Sequence, residues 1–274
     1  MLIRTISGAC YVVVLAAFFL FREFVDFRIF HLLTYFFTVM GTIELARALK
    51  DRTVKVASIL SIVYAALFVP LYCIGEYLLW AGWGWMLALD LTAVMIIVIS
   101  VISLGKGVER ATFLWSALLF IYPALFLLTM LLANDLENGF IALLMAFVVS
   151  PCSDTFAYLV GSLIGGKKLC PKLSPKKTWS GAIGGTLGGV ISGIIVYFIF
   201  TPSVNFFSPV LLFILVGLIA SIANLFGDLF ESFIKRRVGI KDMGKIMPGH
   251  GGVLDRIDGT MFAMVVIYIV FLLV

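Results

Sequence analysis

Long apolar runs alternate with short polar joints along this chain. Nine runs approach or reach the roughly 20 residues an α-helix needs to cross a bilayer. They cover about 6–21, 29–49, 56–74, 85–104, 111–132, 140–164, 179–200, 209–233 and 258–274. A lipid-embedded segment must satisfy its own backbone, so the pattern predicts an all-α fold: a polytopic transmembrane helical bundle of about nine spans. The window 140–164 contains Pro151 and Asp154, which predicts a bent or broken helix. Between the third and fourth spans, Trp80, Trp83 and Trp85 read as an interfacial aromatic belt. The first run ends at Arg22-Glu23 and not at a small-residue cleavage site, so it reads as a retained span.

Composition agrees. Hydrophobic residues make up 62% of the 274 and charged residues 13%, with a mean hydropathy of +1.16. A soluble domain is roughly half apolar and a quarter charged, so a water-soluble domain is excluded. Cys10, Cys73, Cys152 and Cys170 show no paired spacing for a zinc site or disulfide framework. Charge then predicts orientation. Of the 20 Lys and Arg residues, all but Arg22 and Arg28 fall at the N-terminus or near alternate loops that share one side. Basic residues accumulate on the cytoplasmic side, which puts the N-terminus inside and, with nine spans, the C-terminus outside. The loops on that side, and any cavity they frame, are expected to face the cytoplasm of a bacterial-type inner or cell membrane.

The polar chemistry collects in the second half. The expected division is residues 1–138, about five spans, and a C-terminal region 139–274 with cytoplasmic loops 165–178 and 234–257. On the eighth span Asn224, Asp228, Glu231 and Lys235 lie at helical spacing on one face. A carboxylate in a membrane helix is costly and marks a cavity, a partner or an ion. Asp154, inside the sixth span, carries the same implication. Glu231 and Lys235 also fit an ordinary i,i+4 pair. The run Lys235-Arg236-Arg237 with Lys241 and Lys245 suits phosphates, and equally suits a topology signal or anionic lipid. Pro248-Gly249-His250-Gly251-Gly252 forms a glycine-rich turn whose N–H groups could meet phosphate oxygens. Asp255 and Asp258 sit at the start of the last span, where acidic residues also cap helices; capping suits Asp258 better than Asp255. Lys167, Lys168, Lys172, Lys176 and Lys177 surround two prolines in a loop that cannot be helical throughout.

The stretch from Ser232 through Lys241-Asp242 and Pro248-Gly-His250-Gly251-Gly252-Val-Leu-Asp255-Arg256-Ile-Asp258 resembles the C-terminal signature of the phosphatidate cytidylyltransferases, or CDP-diacylglycerol synthases. Gly227-Asp228-Leu-Phe-Glu231-Ser232, Ser174-Pro175-Lys176-Lys177-Thr178 and Asp154-Thr-Phe-Ala-Tyr158 extend the resemblance over about the last 120 residues. Four positions depart from it. Ser180 stands where family members commonly carry Glu, Met243 and Gly259 where serine is frequent, and Asn224 where a small residue is usual. The resemblance implies attack of the phosphatidate phosphate on the α-phosphorus of CTP, with pyrophosphate leaving. It implies Mg²⁺ at Asp228 and Asp255, and a second cation such as K⁺, with Asp154, Glu231 and Asp258 as further ligand candidates. Lys235, Lys241 and Arg236, with Lys176, Lys177, Thr178 and Arg256, would meet the phosphates. His250, Gly251 and Gly252 would shape the nucleotide loop.

The partners implied are CTP, phosphatidate and membrane lipid, with no nucleic acid; a homodimer is expected because two-fold assemblies are common. Two other readings use the same residues. One is another CTP-dependent lipid enzyme, such as a polyprenol kinase or an ether-lipid phosphate cytidylyltransferase. The other is an ion-coupled transporter, which also buries carboxylates, although the chain shows no inverted repeat.

Overall fold

A computed structural model describes residues 2–79, 82–200, 209–249 and 251–273. The helices are α1 (Leu2–Phe24), α2 (Ile29–Ala48), α3 (Lys55–Cys73), α4 (Gly84–Gly105), α5 (Arg110–Ile121), α6 (Ala124–Asn134), α7 (Gly139–Ile164), α8 (Trp179–Phe200), α9 (Pro209–Val238) and α10 (Leu254–Leu273). With α5 and α6 taken as one segment broken at Pro123, nine helical segments among the described residues are long and apolar enough to cross a membrane. The fold is therefore the expected polytopic helical bundle, and the protein is an integral membrane protein.

Three details differ from the sequence reading. First, of the bent or broken helix expected at Pro151, the break is absent: α7 is one helix from Gly139 to Ile164. Proline has no N–H to donate to the Phe147 carbonyl, a loss that membrane helices tolerate; one turn on, Thr155 Oγ1 donates to the Pro151 carbonyl at 2.7 Å. Second, the structure is not purely helical: β1 (Lys168–Cys170) and β2 (Ser174–Thr178) pair antiparallel, in the segment the prolines exclude from helix. Third, α9 continues to Val238 and α10 begins at Leu254, so the last joint is shorter than 234–257. In the aromatic belt, Trp83 and Trp85 are exposed, while Trp80 lies outside the described residues. Glu76, on a π-helical extension of α3 (Ile74–Leu79), accepts the N–H groups of Gly82 and Gly84.

The chain forms two compact units. The first comprises Met1–Leu132 and Val238–Arg256, the second Ala133–Arg237 and Ile257–Val274. The segment 238–256 thus groups with the N-terminal helices and not with the region after residue 138. In the first unit, Phe30, Phe37, Tyr64, Phe68, Tyr72 and Phe120 are fully enclosed. Tyr64 and Thr92 hydrogen-bond through their hydroxyls at 2.8 Å, so a buried polar pair satisfies itself.

The second unit depends on the glycine-rich face of α8. Gly181, Gly184, Gly185, Gly188, Gly189 and Gly193 are all buried. Lipid tails are as apolar as leucine, so membrane helices associate through close packing of small residues. A Cβ on Gly188 would lie 2.7 Å from the Phe156 Cβ on α7, and one on Gly193 would run into the Phe213 carbonyl of α9. These contacts bring α7, α8 and α9 close together around the polar residues described next.

Candidate active site

In the second unit, α7, α8, α9 and the hairpin enclose a cavity of about 540 Å³, lined by Asp154, Lys176, Lys177, Thr178, Asn224 and Asp228 among others. α9 supplies Asn224 and Asp228 one turn apart, as their spacing predicts. Asp228 Oδ2 is 2.5 Å from Lys177 Nζ, and its Oδ1 accepts the Ser232 hydroxyl at 3.3 Å. Asn224 Nδ2 donates to Asp154 Oδ1 at 2.9 Å, linking α9 to α7. Asp258 accepts the Gly259 N–H at 2.8 Å and sits in the fields of Asp228, Lys235 and Asp154. Gly227 and Gly259 permit this approach of α9 to α10. A Cβ at Gly227 would meet the Asp258 carbonyl, and one at Gly259 would collide with Asn224 Oδ1. Two of the departures are therefore one exchange: the Asn224 amide occupies space that a side chain at position 259 would need.

Glu231 forms the i,i+4 pair that its spacing allowed, with Lys235 at 3.1 Å, and is fully buried. Arg236 Nε donates to the Leu173 carbonyl at 3.3 Å, tying α9 to the hairpin turn. Thr178 Oγ1 accepts the Gly181 N–H at 3.1 Å and so caps the start of α8. Ser180 shares a hydrogen bond with that hydroxyl at 3.0 Å and donates to the Gly165 carbonyl. Lys176 is exposed at the cavity rim.

In the first unit the glycine-rich joint folds onto two carboxylates. Asp255 Oδ2 accepts the N–H groups of Met243 and Gly252, each at 2.8 Å. Glu44, on α2, accepts those of Val253 at 3.0 Å and Leu254 at 2.9 Å. Gly249 and Gly251 have positive φ, +78° and +89°, as a turn of this kind requires. The amides at the start of α10 thus go to Glu44 and not to Asp258, the expected cap, while Asp255 braces the joint that precedes the helix. Of the glycine turn's N–H groups expected to meet phosphate, that of Gly252 is taken by a carboxylate. Lys241 and Arg256 are exposed, and His250 lies outside the described residues. Glu44 was not among the sequence candidates. Its signal was present all the same: an acidic residue within a predicted span.

The side chains around Asp228 suit a hard cation in chemistry. Asp154, Asp228 and Asp258 supply carboxylates, and Asn224 Oδ1 is buried without a hydrogen-bond partner. Oxygen donors of this kind fit Mg²⁺. Among the described residues, however, no three acidic, histidine or cysteine side chains already converge on one point, and the Lys177 ammonium is the cation beside Asp228.

The sequence pattern of the Cytidylyltransferase family matches residues 3–274. The chain belongs to that family. It is 35% identical over 198 residues to a phosphatidate cytidylyltransferase of Brucella abortus, covering 69% of this chain and 72% of the relative. It is 37% identical over 128 residues to one from Staphylococcus haemolyticus, covering 47% and 48%. A cytidylyltransferase in which Asp154, Lys177, Asn224 and Asp228 line one cavity among membrane helices is a nucleotidyltransferase of phospholipid synthesis.

Proposed function

We propose that this enzyme transfers the cytidylyl group of CTP to phosphatidate, forming CDP-diacylglycerol and pyrophosphate. A phosphate oxygen of the lipid forms the new bond to the α-phosphorus. The bond from that phosphorus to the bridging oxygen breaks, and pyrophosphate leaves with the electron pair. The observation that best supports this reading is the cavity holding Lys176, Lys177, Asp154 and Asp228 against the apolar helices α7, α8 and α9. A headgroup reacting there keeps its acyl chains in lipid.

No general base is required, since a phosphate monoester with a second pKa of about 6 is largely ionised near neutrality. The chain's work is alignment and charge neutralisation. Lys176 and Lys177, with Lys235, Arg236, Lys241 and Arg256, neutralise phosphates. Asp228, with Asp154, Asp258 and Asn224, would hold Mg²⁺, which supplies charge neutralisation and polarises a phosphoryl oxygen. A ligand role for Asp255, and a second cation such as K⁺, belong to the same proposal. Glu231 serves that group indirectly, by its pair with Lys235.

The test incubates purified protein with Mg²⁺, CTP labelled at either the α or the γ phosphorus, and in separate reactions phosphatidate, an ether-linked lipid phosphate or a polyprenol. Label from the α position entering lipid, with release of pyrophosphate, is the expected result. Label from the γ position entering a polyprenol would make the enzyme a kinase, and equal use of an ether-linked lipid phosphate would widen the acceptor. No labelled lipid from either position would overturn the proposal.

A further inference from the structure

We infer that Glu44, outside every signature motif, is a positioning residue that sets the conformation of the 243–254 loop for nucleotidyl transfer. Four observations from one compact unit converge on it. Its side chain is buried at 2% relative exposure. Both carboxylate oxygens accept backbone N–H groups, Oε1 from Val253 and Oε2 from Leu254, where α10 begins. A Cβ on Gly244 or on Gly252 would collide with this carboxylate, so the loop passes against it twice at glycine. Asp255 takes the neighbouring amides of Met243 and Gly252, so the two acids interleave along one loop.

A buried carboxylate without partners would be expensive. Here two N–H donors and the positive end of the α10 dipole stabilise it, and Arg47, one turn further along α2, adds an opposite charge. The loop in turn cannot close the same way around an uncharged group. A neutral amide leaves the Val253 or Leu254 N–H short of an acceptor, and alanine leaves both short. Lys241 lies two residues before this loop, which leads directly into Asp255 and Arg256. Glu44 touches no substrate; it acts through the backbone that presents these three residues.

The activity arm rests on the proposed function, whereas hydrogen exchange does not, so the two can fail separately. In Glu44→Gln, the amides of Val253 and Leu254 should exchange about tenfold faster, as expected for loss of a charge-assisted hydrogen bond. Turnover per folded molecule should fall roughly tenfold or more, with the KM for phosphatidate unchanged. Glu44→Asp should recover part of both. If Glu44→Gln fails to fold, a double-mutant cycle with Glu44→Asp decides. Gly244→Ala should impair the parent but cost less in Glu44→Asp, whose shorter side chain withdraws the carboxylate from the added Cβ. Unchanged exchange, faster exchange with unchanged turnover, or additive effects in the cycle would each overturn the inference. If the parent makes no CDP-lipid, the proposed function falls while the exchange result still judges Glu44.

Discussion

Asp228 contacts Lys177 through one oxygen and Ser232 through the other, so its charge is engaged on two sides. Asp228→Asn keeps the shape and removes the attraction for both Lys177 and Mg²⁺. Activity should fall on the order of 100-fold or more, the scale of losing a group that stabilises transition-state charge. Rates across a Mg²⁺ titration check this; a near-normal rate with unchanged Mg²⁺ dependence would remove Asp228 from the site. The same substitution at Asp255 tests its ligand role. Groups acting as a unit are not additive, so a double variant no worse than either single one is the outcome a shared ion predicts. Glu231 should behave differently. It is fully buried against Lys235, whose side chain is 13% exposed, and removing one partner of such a pair costs about 3 kcal/mol. Glu231→Gln should lower unfolding stability in mixed micelles by that amount with or without Mg²⁺. A stability loss seen only with Mg²⁺ present would instead make Glu231 a ligand.

The helices show which parts of this site were legible in sequence. Asn224, Asp228, Glu231 and Lys235 were placed on one face because helical spacing is a local property of α9. The Gly-rich character of α8 was visible, but not that its glycines admit α7 and α9, since close approach is known only once both partners are placed. Glu44 is the sharpest omission. It lies about 200 residues from the amides it binds, and no local pattern encodes that distance. Sequence favoured Asp258 over Asp255 as a cap, and only the folded backbone shows Asp255 taking the amides of Met243 and Gly252. At this scale the prediction concerns α8. Gly193→Ala should cost about 1–3 kcal/mol by overpacking against the Phe213 carbonyl. Gly105→Ala, where an added Cβ meets nothing, should be neutral or slightly stabilising. Thermal unfolding of the two variants in detergent compares them directly, and equal melting temperatures would mean that α8 does not rely on glycine contacts.

For the whole molecule the open matter is which face of the membrane carries the hairpin and the glycine loop, and here the bias in basic residues gives a prediction. Only Arg22 and Arg28 belong to the side with few positive charges, and both are locally engaged. Arg22 lies 3.5 Å from Glu23, and the Arg28 guanidinium stacks 4.5 Å over the Tyr77 ring. Two basic residues against eighteen still leave the bias strongly one-sided. The hairpin and its approaches carry Lys167, Lys168, Lys172, Lys176 and Lys177, and the end of α9 carries Lys235, Arg236 and Arg237. Translocating either cluster would oppose the positive-inside rule, so both should lie in the cytoplasm, where CTP is made. An odd number of crossings then sends the C-terminus outside. In a variant whose four native cysteines are replaced by serine, single cysteines at 172 and 245 should react with a membrane-impermeant maleimide only after cells are opened. One placed at 274 should react in intact cells. Protection of residue 274 together with 172 would mean that one of the nine membrane-length segments does not cross. Reaction of 172 in intact cells would place the cavity on the face away from its nucleotide, and the proposed reaction could not stand.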